Sequence, residues 1–129
     1  MKHLFYILFL LITLVGCIKD DRQALDETTV WKETDYFFSA GGAPTWHKTE
    51  SSKEEVIQFK TNNVFSSSER TNLNRYVVET VDANSAKLKL YEEGKTDTTF
   101  WTIYNITQNT MEAGFFGCVE GCGKRFVRL

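Results

Sequence analysis

The sequence predicts an all-β protein, a small antiparallel up-and-down barrel of about eight strands. Lysines and leucines alternate in Lys87-Leu88-Lys89-Leu90, the period of a strand with one face in water. Short runs rich in β-branched and aromatic residues recur at hairpin spacing. No stretch after the N-terminus combines helical spacing with an apolar stripe. Hairpin-length connections favour a meander that closes on itself, because closure removes exposed strand edges.

The strands are predicted from residue 28 to the C-terminus. The first covers residues 28–38 and contains Trp31, which we expect at one end of the barrel. A glycine-containing loop at residues 39–44 leads to Trp46, and a polar turn follows at residues 50–54. Turns are also predicted at the asparagines near residue 62 and at residues 83–85 and 92–95. The other predicted strands are 56–59, 64–65, 75–80, 87–90, 100–105, 110–116 and 124–128.

The start of the chain has the pattern of an export signal. Lys2 and His3 precede an apolar run over residues 4–15, which is shorter than the roughly 20 residues that span a bilayer. Leu14-Val15-Gly16-Cys17 resembles the lipobox of bacterial lipoproteins. The resemblance implies cleavage before Cys17, a diacylglycerol on its sulfur and acylation of the new amine, which together anchor stably. The alternatives are an ordinary signal peptide with a chance cysteine, or a short buried helix.

Three segments follow from this interpretation. They are a lipoprotein signal peptide (1–16), a lipidated flexible tether (17–28) and one barrel domain (29–129). The polar tether spans roughly 30 Å when extended. The formal net charge of −2 argues against nucleic-acid binding, which needs a basic patch. We therefore expect a monomer held at the membrane by the acyl chains on Cys17, with a protein partner that the sequence does not identify.

Two cysteines remain beyond the predicted anchor. Three residues separate Cys118 from Cys122, in a turn that contains several glycines. An exported protein often meets oxidising conditions, which favours a disulfide, and two free thiols are the alternative. A metal site is the least favoured interpretation, because His47 is the single histidine after the predicted signal peptide. We expect neither a metal nor a cofactor.

The sequence contains no recognisable catalytic constellation. It has no glycine-rich phosphate loop and no serine nucleophile motif. A lone histidine, His47, beside Trp46 is more often a packing or exposed residue than a general base. Glu54-Glu55 and Glu92-Glu93 are adjacent carboxylates whose side chains alternate across a strand, so we predict solvated residues rather than a convergent site. An enzyme is not expected.

A binding site inside the barrel is the more defensible hypothesis. An eight-stranded barrel holds either its own side chains or one small ligand. One hypothesis is non-enzymatic binding of a small apolar or amphipathic ligand. The alternative is a filled core, with the barrel acting as a cell-envelope module that presents loops to another protein or a glycan. The candidate ligand-binding residues are Trp46 at the mouth and, inside, Phe59, Phe65, Tyr76, Leu88, Leu90, Ile103 and Phe115.

The order of these segments resembles the small lipocalin-like lipoproteins of Bacteroidota over roughly residues 29–129. The most specific part is the tail, where Cys118-Val119-Glu120-Gly121-Cys122 precedes Arg125-Phe126-Val127-Arg128. True lipocalins carry Gly-x-Trp on the first strand, whereas this chain has Thr29-Val30-Trp31. The resemblance implies a lipocalin-like barrel at the outer membrane and no particular reaction.

Within that resemblance the residues after the lipidation site become informative. Lys19-Asp20-Asp21 resembles the Lys-acid-acid surface-export signal of lipoproteins in that phylum. The resemblance implies a location on the cell surface rather than on the periplasmic side of the outer membrane. The periplasmic location stays the alternative.

Overall fold

The computed structural model describes residue 25 and residues 29–82, 85–118 and 121–129. Short 3-10 turns occupy Ser51–Lys53 and Thr61–Asn63. In the described ranges, no helix has the length and apolar character needed to cross a membrane. The strands are β1 (Val30–Phe38), β2 (Trp46–Lys48), β3 (Val56–Lys60), β4 (Val64–Ser67), β5 (Arg75–Val81), β6 (Ser85–Tyr91), β7 (Thr98–Tyr104), β8 (Thr110–Phe115) and β9 (Cys122–Arg128).

The strands form a closed antiparallel barrel, which confirms the predicted fold class. From β3 onward each strand pairs with the next, and β9 returns to pair with β1 from Trp31↔Arg128 to Phe38↔Cys122. The other edge of β1 is shared: β3 pairs with its first half and β2 with its second half. Together β2 and β3 therefore act as one interrupted strand position, and the barrel has eight positions around its circumference.

Alternation along the strands fills the barrel with apolar side chains. In β6, Leu88 and Leu90 are fully buried while Lys87 and Lys89 lie on the other face, as the sequence predicts. Burial of each large apolar side chain contributes roughly 1.5–3 kcal/mol, so this cluster is the main source of stability. The core cluster consists of Trp31, Ile57, Phe59, Phe65, Leu88, Leu90, Trp101, Ile103, Met111, Ala113 and Phe126.

The turn between β3 and β4 is tight because asparagines adopt a left-handed backbone conformation there. Asn62 and Asn63 have φ of 57° and 59° in this turn, a conformation that asparagine tolerates better than most residues.

Strand β9 passes close to both of its neighbours at Gly123. A Cβ atom on Gly123 would lie 2.5 Å from Phe37 Cε1 and 2.8 Å from the Ala113 carbonyl oxygen. Only glycine therefore fits where β9 passes between β1 and β8.

The barrel has two distinct ends. We call the end where β1 finishes at Phe38 and β9 begins at Cys122 the upper end, and the opposite end the lower end. Leu25 is half-buried and packs against the core cluster. The predicted signal peptide, Cys17 and the Lys19-Asp20-Asp21 motif lie outside the described residues.

A charged cluster and a cavity at the upper end

Two glutamates are buried where the strand position shared by β2 and β3 is interrupted. Glu33 of β1 and Glu55, just before β3, have relative exposures of 2% and 0%. The Thr49 hydroxyl donates to Glu33 Oε1 at 2.6 Å, and the Glu55 backbone N–H donates to Glu33 Oε2 at 3.2 Å. A register shift in β1 between Glu33 and Asp35 accompanies the break. Both carboxylates therefore lie inside the barrel beside the break.

Lys124 of β9 lies at the centre of this group. Its Nζ atom is 2.6 Å from Glu33, 2.9 Å from Glu55 and 2.8 Å from Glu69. Arg70 donates from Nη1 to both oxygens of Glu55, and the Ser67 hydroxyl donates to Oε1 of the same carboxylate. Every charge in the cluster therefore has a partner, as buried charges require. We call Glu33, Glu55, Glu69, Arg70 and Lys124 the charged cluster.

The three carboxylates of the charged cluster also have the spacing of metal ligands. Oxygens of Glu33, Glu55 and Glu69 lie within 4.8 Å of one another, and carboxylate oxygens suit hard cations. However, the Lys124 ammonium is within hydrogen-bond distance of all three. A divalent cation would have to displace it. We therefore assign these carboxylates to an ion-pair network.

The cluster shifts the pKa of two of its members. Burial raises the pKa of Glu55, but hydrogen bonds from Arg70, Ser67 and Lys124 outweigh it, so the pKa lies below its ordinary value of 4.5. Burial lowers the pKa of Lys124, but hydrogen bonds to Glu33, Glu69 and Glu55 hold it above its ordinary value of 10.5. Both groups are therefore charged at neutral pH.

A cavity of about 540 Å³ opens above the charged cluster. Its volume is in the range of about 300–1,000 Å³ that small-molecule sites occupy. Tyr36 and Phe38 are 42% and 59% exposed, and they form an aromatic wall with Phe115. We call this space the upper cavity. Its lining residues are Glu33, Tyr36, Phe37, Phe38, Lys48, Thr49, Glu50, Lys53, Glu69, Arg70, Phe115, Cys122, Gly123 and Lys124.

The ligand-binding candidates predicted from the sequence do not surround the upper cavity. Phe115 lines it, while Tyr76 is partly buried against the core. Trp46 packs edge-to-face on Phe37 at 4.7 Å, and the Arg125 guanidinium lies 3.8 Å from the centre of its ring. The candidates in the filled core, each with an exposure of 2% or less, are Phe59, Phe65, Leu88, Leu90 and Ile103.

One sequence prediction about carboxylates is wrong. Glu55 was expected to be solvated, but it is fully buried, because it lies two residues before buried Ile57 on the inner face and ion pairs compensate its desolvation. Its neighbour Glu54 points to the other side and pairs with Lys32 at 2.6 Å. Adjacent glutamates thus diverge as predicted, but only one of them lies near the surface.

Three further members of the charged cluster were not predicted from the sequence, namely Glu33, Arg70 and Lys124. A signal for two of them is present, because Glu33 is two residues from buried Trp31 and Lys124 is two residues from buried Phe126. Residues two apart on a strand share a face. The alternation therefore places both charges on the inner face. Arg70 lies in a loop and carries no such signal.

Of the two cysteines, Cys122 lines the upper cavity. Cys118 and Cys122 are at disulfide-bonding distance, with Cα atoms 5.9 Å apart. The Ser39 backbone N–H donates to the Gly121 carbonyl at 2.9 Å, which fixes the cysteine turn to the end of β1. His47 is exposed and its ring lies tilted against that of Tyr36, with ring centres 5.6 Å apart.

Comparisons with protein-family models, curated proteins and solved structures give no match for this chain. The resemblance to small lipocalin-like lipoproteins therefore stays a prediction.

Proposed function

We propose that this protein is a lipid-anchored envelope protein that binds a small amphipathic ligand in the upper cavity and catalyses no reaction. The observation that carries the proposal is the division of the barrel interior. Below the charged cluster, apolar side chains pack into one continuous core. Above it, a cavity of about 540 Å³ has an aromatic wall and a charged floor. Apolar walls with a few polar groups are typical of ligand sites.

The floor of the cavity indicates how such a ligand would be oriented. Lys124 already contacts three carboxylates, and breaking those ion pairs would leave buried charges unpaired. The ligand's apolar body therefore fits against Phe38 and Phe115. Its polar end fits the rim, where Lys53 and Glu50 pair with each other at 70% side-chain exposure.

An apolar dye that fluoresces when it is desolvated tests this site. The wild-type protein should bind the dye saturably, and Phe38→Ser should weaken binding about tenfold, the equivalent of about 1.4 kcal/mol of lost apolar contact. Phe116→Ser is the matched control, because Phe116 is 77% exposed and lies outside the cavity lining. Equal effects of the two substitutions, or no saturable binding, would reject the proposal. Mass spectrometry of solvent extracts from the native protein would identify a bound molecule.

The proposed anchor rests on Leu14-Val15-Gly16-Cys17 and has its own test. The exported protein should carry acyl chains on Cys17, detectable as an added mass on the N-terminal peptide. Cys17→Ser should release the protein from the membrane fraction. Membrane attachment that survives Cys17→Ser would contradict the anchor without affecting the ligand site.

A second candidate function is an envelope interaction module. The filled core favours it, and so does the loop at residues 40–45, in which every residue is exposed. Cross-linking in intact cells followed by purification should then enrich one partner or glycan. Substitutions around Gly41 and Trp46 should abolish that enrichment. Enrichment that is unchanged by these substitutions would contradict this role for the loop.

A further inference from the structure

Among the described residues, strand β5 has no pairing strand along most of one edge. It pairs with β6 on one side, whereas its register with β4 comprises one position, Val64↔Arg75. Within the described part of the chain, no strand pairs with that edge between Val77 and Val81. In the described residues, the barrel is closed, but this edge of β5 has no pairing strand toward the lower end.

Three valines beside this unpaired edge are exposed. Val78 is opposite Leu88, and Val81 is opposite Ala86, so each pair shares the inner face of the sheet. Leu88 and Ala86 have exposures of 0% and 2%, whereas Val78 and Val81 are 40% and 52% exposed. Val77, which is on the outer face, is 39% exposed. We call Val77, Val78 and Val81 the lower valines.

The N-terminal segment joins the barrel at this same end. Strand β1 begins at Val30, whose carbonyl accepts a hydrogen bond from the Leu129 N–H at 2.9 Å. Leu129 is 71% exposed, which adds a further apolar side chain to the lower end. Leu25, five residues before Val30, packs against the core. Cys17 precedes Leu25 by eight residues, a reach of at most about 28 Å.

We propose that the lower end of the barrel rests on the membrane that holds Cys17, so that the lower valines and Leu129 contact lipid and the upper cavity faces away. The proposal rests on the proposed acylation of Cys17. A short tether raises the effective concentration of the barrel at the lipid surface, so weak apolar contacts suffice to orient it. The upper cavity then opens toward the medium from which a ligand arrives.

Fluorescence quenching in vesicles tests this orientation. The full-length acylated protein is placed in vesicles of phosphatidylethanolamine and phosphatidylglycerol that contain a nitroxide-labelled lipid. A fluorophore is attached either to Asp82→Cys, beside Val81 at the lower end, or to Lys95→Cys, in the turn between β6 and β7 at the upper end. Both positions are exposed. The label at position 82 should be quenched at least about threefold more strongly, because it lies at the lipid surface.

A further variant separates contact by the valines from tethering alone. Val78→Thr combined with Val81→Thr keeps the β-branched shape but adds hydroxyls. It should reduce quenching at position 82 by about half, because the apolar contact with lipid is weakened. Quenching at position 95 should not change.

The outcomes that overturn the inference are distinct. Equal quenching at positions 82 and 95 overturns the orientation, while an acyl mass on Cys17 would still support the anchor. A Cys17 without acyl chains overturns both. In detergent, the label at position 82 could become more shielded as the protein concentration rises. That result would mean that the lower valines form a contact between two copies of the chain, and it also overturns the inference.

Discussion

Lys124 provides the positive charge that makes two buried carboxylates tolerable inside the barrel. Its ammonium contacts Glu33, Glu55 and Glu69, and its side chain is only 13% exposed. Lys124→Met keeps a similar chain length but leaves Glu33 and one side of Glu55 without this partner. We expect a loss of about 3–5 kcal/mol in the free energy of unfolding, measured by urea denaturation.

The control for this prediction is Lys53→Met. Lys53 also forms an ion pair, with Glu50 at 2.8 Å, but both side chains are 70% exposed. Surface pairs of this kind contribute little, so the variant should unfold at the wild-type urea concentration. Similar losses of unfolding free energy in the two variants would mean that burial of the charged cluster does not determine how much it contributes to stability.

The pKa of Glu55 predicts how stability depends on pH. Because its folded pKa lies below the ordinary value of 4.5, its stabilising contribution is complete above about pH 4.5 and is lost as the pH falls through the folded value. The raised pKa of Lys124 acts in the opposite direction, since its contribution is complete below about pH 10.5 and is lost above it. The contributions of these two groups should therefore be constant between these limits.

Urea denaturation at a series of pH values measures this effect. Glu55→Gln should be less stable than the wild type at pH 7, and the difference should shrink as the pH falls below about 4.5. A difference that stays constant down to pH 3 would show that Glu55 does not change its protonation in that range.

The sequence correctly predicts which residues are buried where apolar and polar residues alternate regularly. Leu88 and Leu90 are buried as their pattern requires, and Phe59 and Phe65 also lie in the core. Glu33 and Lys124 share the inner face by the same period, but hydrophobic patterning treats a charged residue as a surface residue. Their burial depends on partners that are far apart in the chain, since Lys124 follows Glu55 by 69 positions.

Among the strands, the interruption between β2 and β3 determines where the charged cluster forms. Residues 50–54 leave the pairing with β1, whereas Thr49 donates its backbone N–H to the Thr34 carbonyl and Glu55 accepts from the Glu33 N–H. Thr49 and Glu55 therefore stay beside Glu33 at either side of the break. The sequence predicted a polar turn at residues 50–54 but not the three-residue strand β2 before it. A strand that short has too few side chains to show a period, and it forms because β1 extends past β3.

The crossing of β9 past β1 and β8 depends on Gly123. Gly123→Ala would place its Cβ atom 2.8 Å from the Ala113 carbonyl oxygen, a backbone atom that cannot rotate away. We expect a loss of about 1–3 kcal/mol in the free energy of unfolding. Gly42→Ala is the control, because open space surrounds that position, and it should cause no loss. Equal stability of the two variants would contradict the close approach.

The turn before β9 should be closed by a disulfide between Cys118 and Cys122. Mass spectrometry of exported protein without reductant should show the bonded pair, whereas two alkylatable thiols would refute it. A bridge over so short a loop contributes about 2 kcal/mol in the chain-entropy model. Cys118→Ser combined with Cys122→Ser should therefore lower the urea midpoint, and reductant should lower that of the wild type similarly.

At the scale of the whole molecule, the barrel interior has two levels with different roles. The lower level is a filled apolar core that stabilises the fold, and the charged cluster separates it from the upper cavity. The sequence predicted the closed barrel, because eight short strands with hairpin connections leave few other arrangements. It did not predict where space remains, because a cavity depends on how side chains from several strands meet.

The proposed surface location is a property of the whole chain and can be tested on intact cells. Protease added to intact cells should cleave the wild-type protein, because the loop at residues 40–45 is exposed at the upper end, which we propose faces away from the membrane. Asp20→Ala combined with Asp21→Ala should protect the protein until the outer membrane is permeabilised. These substitutions precede the barrel domain, so purified wild-type and variant protein should be cleaved at equal rates. Protection of the wild type in intact cells would place it on the periplasmic side. The upper cavity would then take a ligand from the periplasm rather than from the medium.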